Sequence, residues 1–242
     1  LLVQTNSTRF LVDCGMVQGG RDAPSRNRKP FDFDPGRIDF VLLTHAHIDH
    51  SGLLPKLTRA GFKGPIHATA ATVDLLGVML PDSAHIQESE ARRSAKRFRG
   101  KRPMEPIYAL QDARECLTQA NSVAYDQEFS PHATVRCRFR DAGHILGSAI
   151  IEVWVTEHGR ATKLVFSGDL GQPGRPILRD PTLIEETDIL VVESTYGDRR
   201  HLDLAATEDE MIAIADKPLY ERGGNVIMPA VAVGRTHQAT DL

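Results

Sequence analysis

Four metal-ligand-type side chains lie within six consecutive residues of this 242-residue chain: His45, His47, Asp49 and His50. An apolar run at 38–43, typical of a buried strand, precedes them, and a helix is predicted to follow. Side chains alternate along an extended segment, so His45 and His47 should point the same way. Where the chain turns into the helix, Asp49 and His50 can reach a second point nearby. Isolated histidines are usually unrelated surface or core residues, but this spacing favours a site for two adjacent metal ions, because imidazole and carboxylate groups are common zinc ligands.

A two-metal site needs a further nitrogen ligand and a bridging carboxylate, and two residues at predicted strand ends qualify. His144 lies in a glycine-flanked turn at 141–148, before a predicted strand. Asp169 follows the predicted strand 163–166, in a second glycine-containing turn. Each residue taken alone is more typical of an ordinary turn. Beside the histidine-rich segment at 44–50, both become expected ligands.

The composition bounds the remaining possibilities. The chain is 41% hydrophobic and 25% charged, enough for one large domain or two smaller ones. Its net charge of −3 gives no global signature of nucleic-acid binding, so such a partner must be held by a local patch or by metal. The odd number of cysteines without C-x-x-C spacing indicates a reducing, cytoplasmic location: Cys14, Cys116 and Cys137. No apolar run has the length of a membrane span, and both ends of the sequence suggest a piece of a longer protein.

The elements that must position these residues alternate between strands and helices, which predicts an α/β protein. The predicted strands are 1–3, 9–15, 38–44, 65–69, 148–156, 163–166, 189–192 and 225–228. The predicted helices run from Ser51 to near Gly61, over 71–80, from Asp82 or Ser83 to about Phe98, and over 205–215. The Gly-, Pro- and Arg-rich stretch 19–35 is predicted to be a loop.

The chain resembles the metallo-β-lactamase fold, and within it the β-CASP nuclease branch. The similarity is carried, in family order, by residues 11–15, 45–50, 141–148, 166–171, 191–198 and 223–235. It is greatest to the subgroup of the endonuclease subunit of the mRNA 3′-end cleavage machinery and its prokaryotic relatives. The resemblance implies an incomplete αββα sandwich in residues 1–197 and the start of an inserted β-CASP domain in 198–242. The family's first strand and the closing half of its metallo-β-lactamase domain are expected to lie outside this sequence.

The resemblance also implies roles for individual residues. His45, His47 and His144 would hold one zinc ion, Asp49 and His50 a second, and Asp169 would bridge the two, while Asp13 would orient the site without binding metal. Glu193 would be catalytic, either donating a proton to the leaving 3′-oxygen or tuning the donor. Its family partner, a downstream histidine, is missing from the sequence, and Glu193 has the alternative of capping a helix or pairing with an arginine. Three residues are candidates for substrate binding, with packing as an equal explanation: Tyr196, His201 and Arg235.

The function implied is a zinc-dependent endoribonuclease of RNA processing, with two zinc ions per site and single-stranded RNA as its partner. No membrane partner is expected, and a homodimer is left open. One alternative is a catalytically inactive scaffold subunit of an RNA-processing complex, which the intact ligand set disfavours. Another is a metallo-hydrolase acting on DNA or small molecules; Glu193 and the segment 223–235 disfavour small molecules, because a simple lactamase-type enzyme does not need the inserted domain.

Overall fold

The computed structural model describes residues 1–97, 105–174, 177–198, 204–216, 218–219, 223–225 and 227. The chain divides into two compact units, Leu1–Val192 and Glu193–Leu242. Within the described part of the first unit, ten strands form two five-stranded sheets. The assignment of 1–197 and 198–242 to two named domains stays a prediction.

The first sheet brings together the strand ends that precede the histidine-rich segment. Its strands, in spatial order, are β1 (Leu2–Gln4), β2 (Arg9–Val12), β3 (Phe40–Leu42), β4 (Ile66–Ala68) and β5 (Ala120–Ser122). The β1–β2 pair is antiparallel, and the other three pairs are parallel. Parallel pairing places the carboxyl ends of β2 and β3 at one edge, so Asp13 and His45 leave the sheet side by side.

The second sheet supplies the other predicted ligands. Its strands, in spatial order, are β10 (Ile189–Val191), β9 (Arg160–Phe166), β8 (Ala149–Glu157), β7 (Val135–Asp141) and β6 (Glu128–His132). In this sheet β10 and β9 pair in parallel, and the other three described pairs are antiparallel. His144 lies in the turn between β7 and β8, and Asp169 follows the end of β9.

An apolar core joins the two sheets face to face. Phe10 and Phe40 stack with ring centroids 4.8 Å apart, in one cluster with Phe139 and Ile151 of the second sheet. Burial of each such side chain contributes roughly 1.5–3 kcal/mol. Side chains alternate along β8, so Glu152 points to the other face of the sheet.

On that other face, Glu152 forms a buried ion cluster. Its carboxylate lies 2.7 Å from Arg138 Nε and 2.7 Å from Lys163 Nζ, and the carboxyl side chain is 2% exposed. Both cations come from neighbouring strands in register with β8, so the cluster ties β7, β8 and β9 together.

Helices pack on the other side of the first sheet. They are α1 (Ala23–Arg28), α2 (Ile48–Ser51), α3 (Leu54–Arg59), α4 (Ala70–Arg97) and α5 (Leu110–Leu117), and α6 (Leu204–Asp216) belongs to the second unit. Leu57 of α3, Leu80 of α4 and Ala113 of α5 share one buried cluster with Val41 and Ile66 of the sheet. None of the helices that the structure describes combines the length and apolarity needed to cross a bilayer.

Most predicted strands are confirmed, but the loop predicted at 19–35 and the helix bounds predicted between 51 and 98 were wrong. The stretch 19–35 contains α1, which long-range contacts hold: the Asn27 amide bonds both backbone groups of Val17, and the Lys56 ammonium donates to the Asn27 and Lys29 carbonyls. The helix predicted from Ser51 to near Gly61 is instead two short helices, α2, which ends at Ser51, and α3, which begins at Leu54.

The two helices predicted at 71–80 and from 82 onward are one continuous helix, α4, with Pro81 inside it. Pro81 removes the hydrogen bond to the carbonyl of Gly77, and because Gly77 is exposed, water can replace that bond. The strands β5, β6 and β7 and the helix α5 were not predicted from the sequence. The strand predicted at 225–228 lies largely outside the described residues.

Candidate metal centre

The histidine-rich segment changes from extended to helical in its middle. His47 is the residue before α2 and has extended backbone angles, φ −54° and ψ 145°, whereas Asp49 and His50 lie in the first helical turn. The chain leaving β2 fixes this turn, because Cys14 N donates to His50 O at 2.7 Å and Met16 N donates to Ile48 O at 2.9 Å. One short segment therefore directs ligands to two neighbouring points.

Hydroxyl groups fix the turn that carries His144. Ser148 Oγ accepts hydrogen bonds from the backbone N–H groups of His144 at 3.0 Å and Ile145 at 3.2 Å. The Gly147 carbonyl accepts from the Thr69 and Thr72 hydroxyls at 2.6 and 2.9 Å. These threonines lie just after β4, so the turn is anchored to the first sheet.

The loop that carries Asp169 lies directly against the His144 turn. Gly171 N donates to Ala142 O at 2.8 Å. A Cβ at Gly171 would overlap the Gly143 carbonyl and lie 2.9 Å from His144 N. Only glycine allows this approach, which brings Asp169 beside His144.

Four predicted ligands converge on one small volume. One ligand atom from each of His45, His47, His144 and Asp169 lies within 4.8 Å of the others. His47 Nδ1 is 3.0 Å from His45 Nε2 and 3.3 Å from His144 Nε2. Asp169 Oδ2 is 3.9 Å from His45 Nε2 and 3.6 Å from His144 Nε2. Ligand atoms around a tetrahedral zinc ion lie roughly 3.3–3.5 Å apart, so this donor set fits zinc in both chemistry and spacing.

A second group of ligand atoms adjoins the first. Asp169 Oδ1 is 3.2 Å from His50 Nε2, and Asp49 Oδ2 is 3.9 Å from the same nitrogen. Asp169 thus turns one oxygen toward each group, which is the arrangement of a bridging carboxylate. Asp13 Oδ2 lies 2.8 Å from His50 Nδ1, on the side of the ring away from the ligand atoms.

The charges of these groups are strongly coupled. Burial is the largest cause that lowers the pKa of His45, followed by the neighbouring His50 and His47, so the ring is neutral, as a metal ligand must be. Burial alone would lower the pKa of His50, but hydrogen bonds to Asp13 and Asp169 outweigh it and raise the pKa to about 10. The hydrogen bond from His50 lowers the pKa of Asp169. A cation bound to His50 Nε2 must therefore displace a proton.

The remaining predicted site residues lie beyond Val192. Glu193 is half-buried and Tyr196 is exposed, at the start of the second unit. His201 and Arg235 lie outside the described residues. The catalytic and substrate-binding roles of these four residues stay predictions.

Thr44, which directly precedes the first ligand and is buried, was not predicted as a site residue. Its hydroxyl lies 3.1 Å from His45 Nδ1 and within 3.0 Å of both Asp13 carboxylate oxygens. The only local signal was a hydroxyl residue at the point where an apolar strand meets a ligand segment.

Comparison with known proteins agrees with this geometry. The family described as the metallo-beta-lactamase superfamily matches residues 1–218. The chain belongs to the metallo-beta-lactamase superfamily. The two sheets with a His/Asp cluster at their edge are consistent with this superfamily, and the predicted fold is confirmed.

The curated relatives that match the chain are longer than it. Ribonuclease TTHA0252 of Thermus thermophilus is 38% identical over 237 residues, covering 98% of this chain and 49% of the relative. The transcription termination factor FttA of Pyrococcus abyssi is 31% identical over 249 residues, covering 98% and 36%. The chain thus spans half or less of the length of these relatives. A solved subclass B3 metallo-beta-lactamase, MEM-A1, superposes on 72% of this chain and 59% of its own with a TM-score of 0.41 and 18% identity.

Proposed function

We propose that this chain carries the metal centre of a zinc-dependent phosphodiester hydrolase, an endoribonuclease that cleaves single-stranded RNA. The observation that supports this most directly is the convergence of three imidazole nitrogens and the Asp169 carboxylate. The relative named a ribonuclease, at 38% identity, supports RNA as the substrate. Because the net charge is −3, the metal centre itself would provide the positive charge that holds a phosphate.

The donor set supports two zinc ions. His45, His47 and His144 would hold one ion, Asp49 and His50 the other, and Asp169 would give one oxygen to each. Bound zinc supplies Lewis-acid stabilisation of phosphoryl oxygens and makes water acidic enough to lose a proton near neutral pH. The chain's own contribution is to fix these ligands on strand ends.

We propose further that Glu193 assists protonation of the leaving 3′-oxygen, as the acidic residue of the β-CASP branch. Residues 198–242 would then begin the inserted β-CASP domain, with Tyr196, His201 and Arg235 contacting the RNA. Unpaired bases of single-stranded RNA can splay against the walls of a cleft while one phosphate reaches the metal centre. A catalytically inactive scaffold is disfavoured, because all six ligand-type residues are present and clustered.

The test uses the protein at the full length that its gene encodes. Purified protein should contain about two zinc ions per chain and cut a labelled, unstructured RNA, and a chelator should abolish cleavage. Asp49→Ala should lose both cleavage and one zinc ion, whereas the control Asp32→Ala, at an exposed aspartate, should change neither. Glu193→Gln should slow cleavage with zinc content unchanged.

Each other outcome contradicts a specific part of the proposal. Protein that binds no zinc refutes the metal centre. Zinc-loaded protein that cuts no nucleic acid supports the scaffold alternative, and preference for DNA of the same sequence refutes the RNA substrate. Loss of zinc in Glu193→Gln refutes the role given to Glu193.

A further inference from the structure

Thr44 connects three parts of the metal centre through a single side chain. It lies between β3 and His45, is 1% exposed, and contacts Asp13, His45 and the turn before Asp169. We propose that Thr44 is a positioning residue: its hydroxyl fixes the tautomer of His45, and its hydrogen bonds to Asp13 fix the orientation of the His50 ring. This inference rests on the metal centre proposed above.

The position of the hydroxyl hydrogen follows from the acceptors around it. Thr44 Oγ1 lies 3.0 Å from Asp13 Oδ1 and 2.9 Å from Asp13 Oδ2. An ionised carboxylate can only accept hydrogen bonds, so the hydroxyl donates its one hydrogen to Asp13. The lone pairs of Oγ1 then remain for His45 Nδ1, 3.1 Å away, and that nitrogen must be the donor.

This arrangement selects one tautomer of His45. With the proton on Nδ1, the unprotonated Nε2 faces the ligand cluster, as a zinc ligand requires. The other tautomer would set a lone pair of Nδ1 against a lone pair of Oγ1. His45 is fully buried, so water is not at hand to relieve that contact.

The same carboxylate orients His50. Thr44 N donates to Asp13 Oδ1 at 2.8 Å, and His50 Nδ1 donates to Asp13 Oδ2 at 2.8 Å. Asp13 has φ +61°, a left-handed conformation that needs support from its surroundings. Thr44 supplies that support from its backbone and its side chain together, and His50 Nε2 is thereby left facing Asp169.

Thr44 itself has no room to move. Its carbonyl accepts a hydrogen bond from Ala149 N, the first residue of β8, at 2.8 Å. Its side chain packs against Gly168, where an added Cβ would lie 2.8 Å from Thr44 Cβ and where φ is +55°. A β-branched side chain is stiff at χ1, so the methyl group in this contact holds the hydroxyl in place. Thr44 therefore joins both sheets and the loop carrying Asp169.

Two substitutions separate the hydroxyl from the methyl group. Thr44→Val keeps the shape and removes the hydroxyl, whereas Thr44→Ser keeps the hydroxyl. Ring-nitrogen NMR of the metal-free protein should show His45 protonated at Nδ1 in wild type and Thr44→Ser, and a mixture of tautomers in Thr44→Val. Competition with a chromogenic chelator should show zinc affinity roughly 10–100-fold lower in Thr44→Val and near wild type in Thr44→Ser.

His67 provides an internal control, because its Nδ1 lies 3.2 Å from the Asn121 amide nitrogen and its ring contacts Phe40 and Phe129, away from the ligand cluster. Its tautomer should be the same in all three proteins. A purely structural role for Thr44 would weaken zinc binding without changing the His45 tautomer.

The inference is overturned if wild-type His45 carries its proton on Nε2, or if Thr44→Val binds zinc as tightly as wild type. If Thr44→Val fails to fold, the His45 tautomer in wild type and the zinc affinity of Thr44→Ser still test the inference. Wild-type protein that shows the Nδ1 proton but binds no zinc would refute the proposed metal centre and leave the tautomer assignment intact.

Discussion

Replacing Gly171 by alanine should force apart the two loops that carry His144 and Asp169. The added Cβ would overlap the Gly143 carbonyl and lie 2.9 Å from His144 N. An ordinary carbon–oxygen contact needs about 3.3 Å, so the loops must separate by more than about 1 Å. The hydrogen bond from Gly171 N to Ala142 O, now 2.8 Å, would be stretched or lost.

This displacement is large compared with the tolerance of a metal site. His144 Nε2 and Asp169 Oδ2 are 3.6 Å apart, and ligand distances in a working site hold to about 0.2 Å. We expect zinc affinity to fall, and RNA cleavage to fall by about 100-fold or more, since a 1 Å misplacement is enough for that loss. Overpacking against backbone atoms, which cannot rotate away, should also lower the free energy of unfolding by about 2–3 kcal/mol.

Urea unfolding and zinc competition with a chelator measure the two effects separately. Gly77→Ala is the matched control, because a Cβ there meets nothing within 4 Å and the position is inside α4. That variant should keep its zinc affinity and gain up to about 1 kcal/mol of stability from helix propensity. If Gly171→Ala retains wild-type stability and zinc affinity, the close approach of the two loops does not hold the site together.

Three further predictions concern zinc, an ion cluster and the thiols. Zinc at 100 times its Kd should stabilise the fold by about 2.7 kcal/mol, so a chelator should lower Tm by about 5–10 °C. His47→Ala should lose this Tm shift, and the control His158→Ala, at an exposed histidine, should keep it. Equal shifts in the two variants would contradict the site. Burial alone would raise the pKa of Glu152, but hydrogen bonds from two basic side chains lower it. The ion cluster therefore stabilises the fold above the unfolded pKa of about 4.3, and this stabilisation is lost as pH falls through the folded value. Glu152→Gln should therefore lower the free energy of urea unfolding by about 2 kcal/mol at pH 7 and by less below about pH 4, and a difference independent of pH would refute this account. Burial raises the pKa of the Cys116 thiol to about 12, and all three cysteines are free and buried. A thiol reagent at pH 8 should therefore label none of them before urea is added. Rapid labelling of the folded protein would contradict the buried positions.

The local half of the metal centre could be predicted directly from its spacing, whereas the distant half could be predicted only because the local half requires further ligands. The spacing of His45, His47, Asp49 and His50 encodes two ligand directions, because the period of an extended chain and one helical turn determine where the side chains point. His144 is 97 residues from His47, and their contact depends on how two sheets meet. Without the histidine-rich segment at 44–50, His144 and Asp169 would be ordinary turn residues.

The fold shows the same division between local and distant information. Strands with strong apolar patterns, such as β8 and β9, were predicted close to their observed positions. The continuity of α4 through Pro81 was not predicted. A proline normally marks the end of a helix, but here packing of Leu76 and Leu80 against the core keeps the helix continuous. The short helix α1 was missed because contacts from Lys56 and Val17 hold it.

The residues hardest to foresee are those that hold the ligands and do not bind metal themselves. Ser148, Thr69 and Thr72 fix the His144 turn through hydroxyl contacts, and Thr44 does the same for His45 and Asp13. Serine and threonine are common at the ends of strands and in turns, so neither residue type signals such a role in a sequence. Their contacts exist only once both sheets have formed, whereas the ligands keep a recognisable spacing. It follows that substitutions at these hydroxyls should alter zinc affinity more than they alter folding, and a sequence scan for ligands alone would overlook them.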